Sequence, residues 1–242
     1  MKFTNCLNRS IWITMLLCFC SISVFSQKNV VKNLVDFDRK LLRFGFTVGT
    51  NVSDMSIKFS DNFLSNPLIS RLEIGQTVGF QLGPIVNYRL GEHFDLRALI
   101  NISFTERNYL YTYFNEQEPF GNTEHTMRIE SIYGEFPLLI KYRAKRIYNY
   151  RPYLISGFNQ KFDFAAKRKI NEEDKPKIML KPYDYYLEAG AGVDVYFEYF
   201  KFSVELKYAH GLRNLTVYDQ TPYTDIINKM NASMVMISFH FE

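Results

Sequence analysis

The sequence predicts an all-β fold, an eight-stranded antiparallel transmembrane β-barrel of the outer-membrane kind, and three observations carry that prediction. The first is the stretch Tyr185 to Gly211, YYLEAGAGVDVYFEYFKFSVELKYAHG, in which two alternating runs meet at a tight polar hinge. Leu187, Ala189, Ala191, Val193, Val195 and Phe197 share one face of the first run, opposite Glu188, Gly190, Gly192, Asp194 and Tyr196. After Glu198 and Tyr199, the residues Phe200, Phe202, Val204, Leu206 and Tyr208 lie opposite Lys201, Ser203, Glu205 and Lys207. Side chains of a strand alternate faces, so one side of this hairpin is apolar and the other carries full charges. The second observation is length: each run holds roughly 11 residues, what a tilted strand needs to cross a bilayer and about twice the usual soluble strand. The third is the rhythm of the connections. Residues 91–93, 144–150 and 198–199 are short links, whereas residues 53–76, 108–127, 165–181 and 212–231 are long ones. Outer-membrane barrels have short periplasmic turns and long external loops, so a periplasmic start places every short link and both chain ends on the periplasmic side.

Residues 1–26 read as a secretory signal: Lys2 and Arg9, an apolar core from Ile11 through Phe19, then Val24 and Ser26 before Gln27. A transmembrane anchor needs a longer apolar run. A lipoprotein reading through Cys18 or Cys20 lacks small residues just ahead of the cysteine. All three cysteines, with Cys6, and the only tryptophan, Trp12, fall in this segment. The exported chain therefore has no thiol chemistry, disulfide or thiolate metal site. Removing the segment takes away two positive charges and no acids, lowering the formal net charge from +4 to +2. No basic tail or block stands out, which argues against a nucleic-acid partner. Phenylalanine at 22 and tyrosine at 17 are abundant, as the interfacial girdles of a membrane barrel require.

Residues 27–41 form a separate N-terminal periplasmic arm. Val30, Leu34, Phe37 and Leu41 fall at helical spacing among lysines, Asp36, Asp38 and Arg39, so a short amphipathic helix or an irregular arm is expected. The barrel occupies residues 42–242. Its first strand, Leu42 to Val52, alternates Leu42, Phe44, Phe46 and Val48 with Arg43, Gly45, Thr47 and Gly49. The second, Thr77 to Leu90, puts Phe80, Leu82, Pro84, Val86 and Tyr88 outside, with a bulge or bend expected at Pro84, which has no N–H for a ladder. The third, Phe94 to Arg107, turns Asp95, Arg97, Asn101, Ser103 and Thr105 inward. The fourth, Arg128 to Arg143, puts Phe136, Leu138, Ile140 and Tyr142 outside and Glu135, Lys141 and Arg143 inside. The fifth, Arg151 to Phe164, is less regular. The sixth and seventh are the hairpin above, and the eighth, Ala232 to Glu242, shows Val235, Ile237, Phe239 and Phe241 on one face.

The chain resembles the PorT family, called SprT in gliding bacteria, the small outer-membrane barrel of the Bacteroidetes type IX secretion system. The stretches that carry the resemblance are NLVDFDRKLLRFGF (33–46), LRALINISFTERNYLY (96–111), GEFPLLIKYRAKRIYNYRPYLISG (134–157), KPYDYYLEAGAGVDVYFEYFKFSVELKYAHGLRNL (181–215) and the ending SFHFE. The first departs from the family pattern at Val35, where a proline is usual. The resemblance implies a part in exporting proteins with C-terminal secretion signals and, in gliding species, surface adhesins. It implies no catalytic residue.

The one dense polar constellation is the inward set Arg89, Arg97, Glu135, Lys141, Arg143, Glu188, Asp194, Glu205 and Lys207. Glu188 and Glu205 could be imagined as a general acid and base, but no nucleophile and histidine accompany them. A narrow barrel must fill its interior, and opposite charges fill it while neutralising each other. His93, His125, His210 and His240 show no metal-ligand spacing, and only His210 sits where an outer-leaflet enzyme would need it. No catalytic residue, cofactor, metal or small-molecule substrate is expected. The expected function is a non-enzymatic scaffold or assembly role in type IX secretion, with outer-membrane lipid and other secretion components as partners. Asp36, Asp38 and Arg39, ahead of the barrel wall, are the candidate partner-binding residues. A small-solute channel is the alternative, ahead of an outer-leaflet enzyme or a soluble ligand-binding barrel.

Overall fold

In the computed structural model, which describes residues 31–59, 69–75, 77–114, 122–164, 181–215 and 227–242, the strands pair only antiparallel and close into a ring. In chain order they are β1 (Leu42–Phe59), β2 (Ile69–Gly75), β3 (Thr77–Arg89), β4 (Phe94–Leu99), β5 (Asn101–Phe114), β6 (Asn122–Arg143), β7 (Tyr150–Asp163), β8 (Tyr183–Tyr196), β9 (Lys201–Gly211) and β10 (Ile227–Phe241). Neighbours run β1-β10-β9-β8-β7-β6, then through β4 and β5 to β3. Closure comes from β3 against β1, with Leu42 opposite Tyr88 and Ser53 opposite Thr77. β4 and β5 are one wall strand, because both pair with β6 in a single register, Ala98 opposite Leu138 and Asn101 opposite Glu135. β2 prolongs β3 along the same neighbour, β5. The wall is therefore a ring of eight strands.

No bulge is observed at Pro84: β3 runs unbroken through it in one register with β1 and with β4 and β5, and the break between β4 and β5 falls on the neighbouring strand, at Ile100. The Ile100 amide donates to the Pro84 carbonyl at 3.2 Å, and Pro84 has nothing to give back. Beside it, a Cβ on Gly83 would stand 2.0 Å from the Ile100 carbonyl oxygen, so the two backbones approach as closely as only glycine allows.

The pleat sorts the side chains as the hairpin's alternation requires. Phe44, Phe46, Leu138, Ile140, Phe158 and Leu206 stand exposed on the outer wall, while Arg97, Ser203 and Asp194 are fully buried inside. An apolar face turned outward around a ring suits lipid rather than water. Aromatic pairs reinforce it near the short turns: Phe46 stacks on Phe241 at 4.8 Å, Phe197 on Phe200 at 5.0 Å, and Phe94 leans on Tyr142 at 5.2 Å. Rings of this kind sit at the headgroup level of membrane barrels.

Several strands run past the expected bounds. β9 has the 11 residues of a bilayer crossing, but β1 has 18 and β6 has 22. Residues 53–59, 69–75, 108–114, 122–127 and 227–231, expected in long loops, are strand. Along β1 the pleat continues, with Ser53 and Met55 buried, but the outward residues become Asp54, Ser56 and Lys58, so the apolar outer face that reveals the strand stops at Val52. The rest of the long connections, residues 165–180 among them, and the signal segment 1–26 lie outside the described residues. The short links are 90–93, 144–149 and 197–200, and the starts of β1 and β4 and the end of β10 lie at that same end, called here the short-turn mouth.

Of the two forms expected for the arm, the irregular one is observed. Phe37–Arg39 make a single 3-10 turn, and Leu34 takes a left-handed φ of 50°, which a helix does not admit. A segment this short cannot nucleate a helix alone, and side chains from the turns hold its backbone instead. The Arg146 guanidinium donates to the carbonyls of Asn33 and Leu34, the Asn33 amide donates to Asn149 at 3.0 Å, and Arg89 donates to the Arg39 carbonyl at 3.3 Å.

Candidate functional site

The barrel interior is built in tiers, because each wall strand delivers every second residue inward. On the side of the middle tier away from the short turns, Lys207 of β9 donates to Glu188 of β8 at 3.0 Å, and Lys161 of β7 meets Glu135 of β6 at 2.8 Å. Asn159 links the two carboxylates, donating to Glu188 at 2.6 Å and to Glu135 at 3.4 Å.

In the middle tier Arg97 of β4 donates to Glu205 at 2.6 Å, and the Tyr153 hydroxyl donates to the same oxygen at 2.7 Å. Lys141 reaches both oxygens of Asp194 at 2.8 Å, and Ser203 donates to that acid at 2.6 Å. The Lys141 ammonium also lies 3.6 Å from the centre of the Tyr153 ring, a cation–π contact. Lys201 meets Glu242 at 2.8 Å, and His240 Nε2 stands 3.4 Å from Glu205. Ile85, Leu99, Leu139, Tyr153 and Ile155 pack as an apolar plug beside these charges. Gly192 makes the tier possible, since a Cβ there would stand 2.5 Å from Tyr153 Cζ.

These two tiers balance. Arg97, Lys141, Lys161, Lys201 and Lys207 face Glu135, Glu188, Asp194, Glu205 and Glu242 one for one. Charges withdrawn from water persist only when paired and hydrogen-bonded in this way.

The third tier lies at the short-turn mouth and does not balance. Asp95 takes Arg43 and also Arg143, whose Nε lies 3.0 Å away. Asp38, reaching in from the arm, takes Arg151 at 3.1 Å and Arg143 at 3.5 Å, with Arg43 at 3.8 Å and Arg146 at 3.9 Å. The Tyr196 hydroxyl donates to both Asp38 oxygens at 2.8 and 2.9 Å. Four arginines thus surround two carboxylates. Alongside is an open recess of about 530 Å³ lined by Val35, Asp38, Arg39, Arg89, Glu92, His93, Arg143, Lys145, Arg146 and Arg151.

All eight side chains of the predicted interior set, Arg97, Glu135, Lys141, Arg143, Glu188, Asp194, Glu205 and Lys207, are buried. Seven of them join the two balanced tiers, and Arg143 belongs to the mouth. Arg89 is only half-buried and clamps the arm. The arm's three candidates separate. Asp36 and Arg39 pair with each other at 3.3 Å in the open, at 80% and 77% side-chain exposure, whereas Asp38 is the acid that gathers the mouth arginines. Its expected position outside the wall is therefore corrected: the 3-10 turn faces it into the lumen. His210, on the outer face, is exposed, while His240 is fully buried inside.

Sequence reasoning missed Tyr153, Lys161, Glu242 and the role of His240. The phase of β7 was readable only from the outward Leu154 and Phe158 against the inward Arg151 and Lys161, because Pro152, Ser156 and Gly157 blur the alternation. Opposition to the outward Phe239 and Phe241 was the available signal for His240 and Glu242.

A closed ring of eight antiparallel strands, apolar outside and filled with charge inside, defines the class: a small β-barrel of the outer membrane. Residues 25–217 match the family described as outer membrane protein beta-barrel domain, and the chain belongs to that family. Among solved structures it is similar to OprG from Pseudomonas aeruginosa, at 16% identity over 83% of this chain and 93% of that one, with a TM-score of 0.43. It is also similar to Neisserial surface protein A (NspA), at 11% identity over 83% and 98% of the two chains with a TM-score of 0.41. For Ail, the attachment invasion locus protein of Yersinia pestis, the values are 11% identity, 82% and 96%, and 0.33. No curated protein matches the sequence.

Proposed function

We propose that this barrel is a non-enzymatic component of the type IX secretion system, with a scaffold or assembly role in the export of proteins bearing C-terminal secretion signals. The observation that carries the reading is the filled interior. The balanced charge tiers and the plug of Ile85, Leu99, Leu139, Tyr153 and Ile155 occupy the section through which a conduit would have to run. A barrel of this size that spends its lumen on side chains acts through its rim, arm and loops rather than through a pore. The resemblance of residues 33–46, 96–111, 134–157 and 181–215 to the PorT family supports type IX secretion as the system. In this reading the short-turn mouth faces the periplasm, as short turns do in outer-membrane barrels, and the arm lies there with it. The signal, residues 1–26, is removed on export, and other secretion components are the partners.

The test is genetic. Deleting the gene is expected to hold proteins with C-terminal secretion signals in the periplasm, detected by fractionation and immunoblotting, and the full-length gene restores export. Normal export from the deletion strain contradicts the reading.

A further inference from the structure

We propose that the recess at the short-turn mouth docks an acidic segment of a periplasmic protein, whose carboxylates pair with Arg39, Arg89, Lys145 and Arg146 beside Asp38. The site itself rests on the geometry of the recess; the periplasmic source of its occupant rests on the scaffold reading above.

The charge distribution is the first reason. The two tiers deeper in the barrel neutralise themselves, so they supply nothing to offset the mouth. At the mouth six basic side chains line the recess against Asp38 and Glu92. Arg89 and Lys145 have no carboxylate within ion-pair distance among the described residues, and Lys145 is exposed. Such a concentration of one sign in a concave mouth focuses potential and draws anions in.

The second reason is that the mouth already grips a carboxylate. Asp38 is held by Arg151 at 3.1 Å and by the Tyr196 hydroxyl at 2.8 Å, with two further guanidiniums within 3.8 Å. Guanidiniums present planar forks suited to carboxylates, and those lining the recess are fixed in place by their bonds to backbone carbonyls: Arg89 to Gly91, Arg143 to Gly91 and Glu92, Arg146 to Tyr148. A recess of about 530 Å³ takes several acidic side chains.

The third reason decides between occupants. Arg143 and Arg151 stand on the inward phase of β6 and β7, so the recess opens along the barrel axis. Lipid headgroups instead meet the outside of the ring, where Phe94 and Tyr142 stand. An acidic protein segment can approach along the axis, and a bilayer lipid cannot.

The experiment uses full-length protein purified from outer membranes in neutral detergent and titrated with fluorescein-labelled hexaglutamate, read by anisotropy. Saturable binding is expected that weakens steeply as salt rises from about 0.15 M, because the contacts are charge pairs. Combining Arg39→Gln, Arg89→Gln and Lys145→Gln is expected to weaken binding about tenfold, since each rim pair is individually small. All three lie at the rim, so the heat-modifiable gel shift that marks a folded barrel should be unchanged. Absence of saturable binding, or equal binding by the folded triple variant, overturns the proposal. Displacement of the peptide by phosphatidylglycerol-doped micelles as effective as unlabelled hexaglutamate also overturns it, in favour of lipid headgroups. Failed binding alongside cargo retention in the deletion strain removes the site and leaves the scaffold reading. Binding with normal export does the reverse.

Discussion

Asp194 is the acid on which the middle tier turns, because Lys141 meets both its oxygens at 2.8 Å and Ser203 donates to it at 2.6 Å. Asp194→Ala leaves a buried ammonium without its partner, which is expected to destabilise the barrel by about 3–5 kcal/mol. Urea unfolding in lipid vesicles, followed by the heat-modifiable band, measures it. Replacing both partners, Lys141→Met with Asp194→Leu, should recover most of that loss, since an apolar pair fills the space without stranding a charge. An unchanged midpoint for Asp194→Ala would mean that the tier is hydrated and loosely held. Gly192→Ala tests the packing of the same tier. Its new methyl would stand 2.5 Å from Tyr153 Cζ, pushing the ring off Glu205 at an expected loss of about 1–3 kcal/mol. At this scale the sequence was informative about which residues carry charge inward. Alternation along β8 and β9 places Glu188, Asp194, Glu205 and Lys207 on one face without any structure. The pairings were not legible, because Lys141 on β6 and Asp194 on β8 flank β7 rather than pair with each other, and alternation within a strand says nothing of contacts between strands.

The strands and the arm respond differently to charge. Leu206 stands on the lipid face of β9 at 56% exposure, so Leu206→Arg is expected to cost about 2–4 kcal/mol at mid-membrane and to reduce the folded, heat-modifiable band. Folding at the parental level would place that face against water or protein. Within the arm, Asp38→Asn removes the charge that four guanidiniums share, and the arm should become sensitive to limited proteolysis near Leu34. Asp36→Asn with Arg39→Gln removes only an exposed pair, so it should leave the digestion pattern unchanged. Equal digestion of the Asp38 variant and the parent would show that the backbone clamps of Arg146 and Arg89 hold the arm alone. The membrane-crossing part of each strand was legible because lipid on one side and a polar lumen on the other enforce alternation. The extension of β1 was not, since its outward residues Asp54, Ser56 and Lys58 are polar and the apolar phase of Leu42 to Val52 stops there. Nor was the arm's fold, whose spacing of Leu34, Phe37 and Leu41 looks helical but whose geometry is set by arginines far away in sequence.

For the whole molecule, the decisive property is that the ring closes on side chains rather than on a lumen. Ring closure itself was anticipated from the alternation of short and long links, which needs no three-dimensional information. The filling was anticipated as opposite charges that neutralise one another, but its apolar part was not. The apolar plug of Ile85, Leu99, Leu139 and Ile155 interrupts the polar phase of its own strands and became visible only when those strands met. Conductance of the purified full-length barrel in planar bilayers tests this property most directly, because a filled section passes no hydrated ions whatever the partners outside. A flat baseline with no discrete current steps is expected across the accessible voltage range, for a preparation whose folding is shown by its heat-modifiable band. Reproducible ohmic steps from that folded preparation would contradict it and make the barrel a channel.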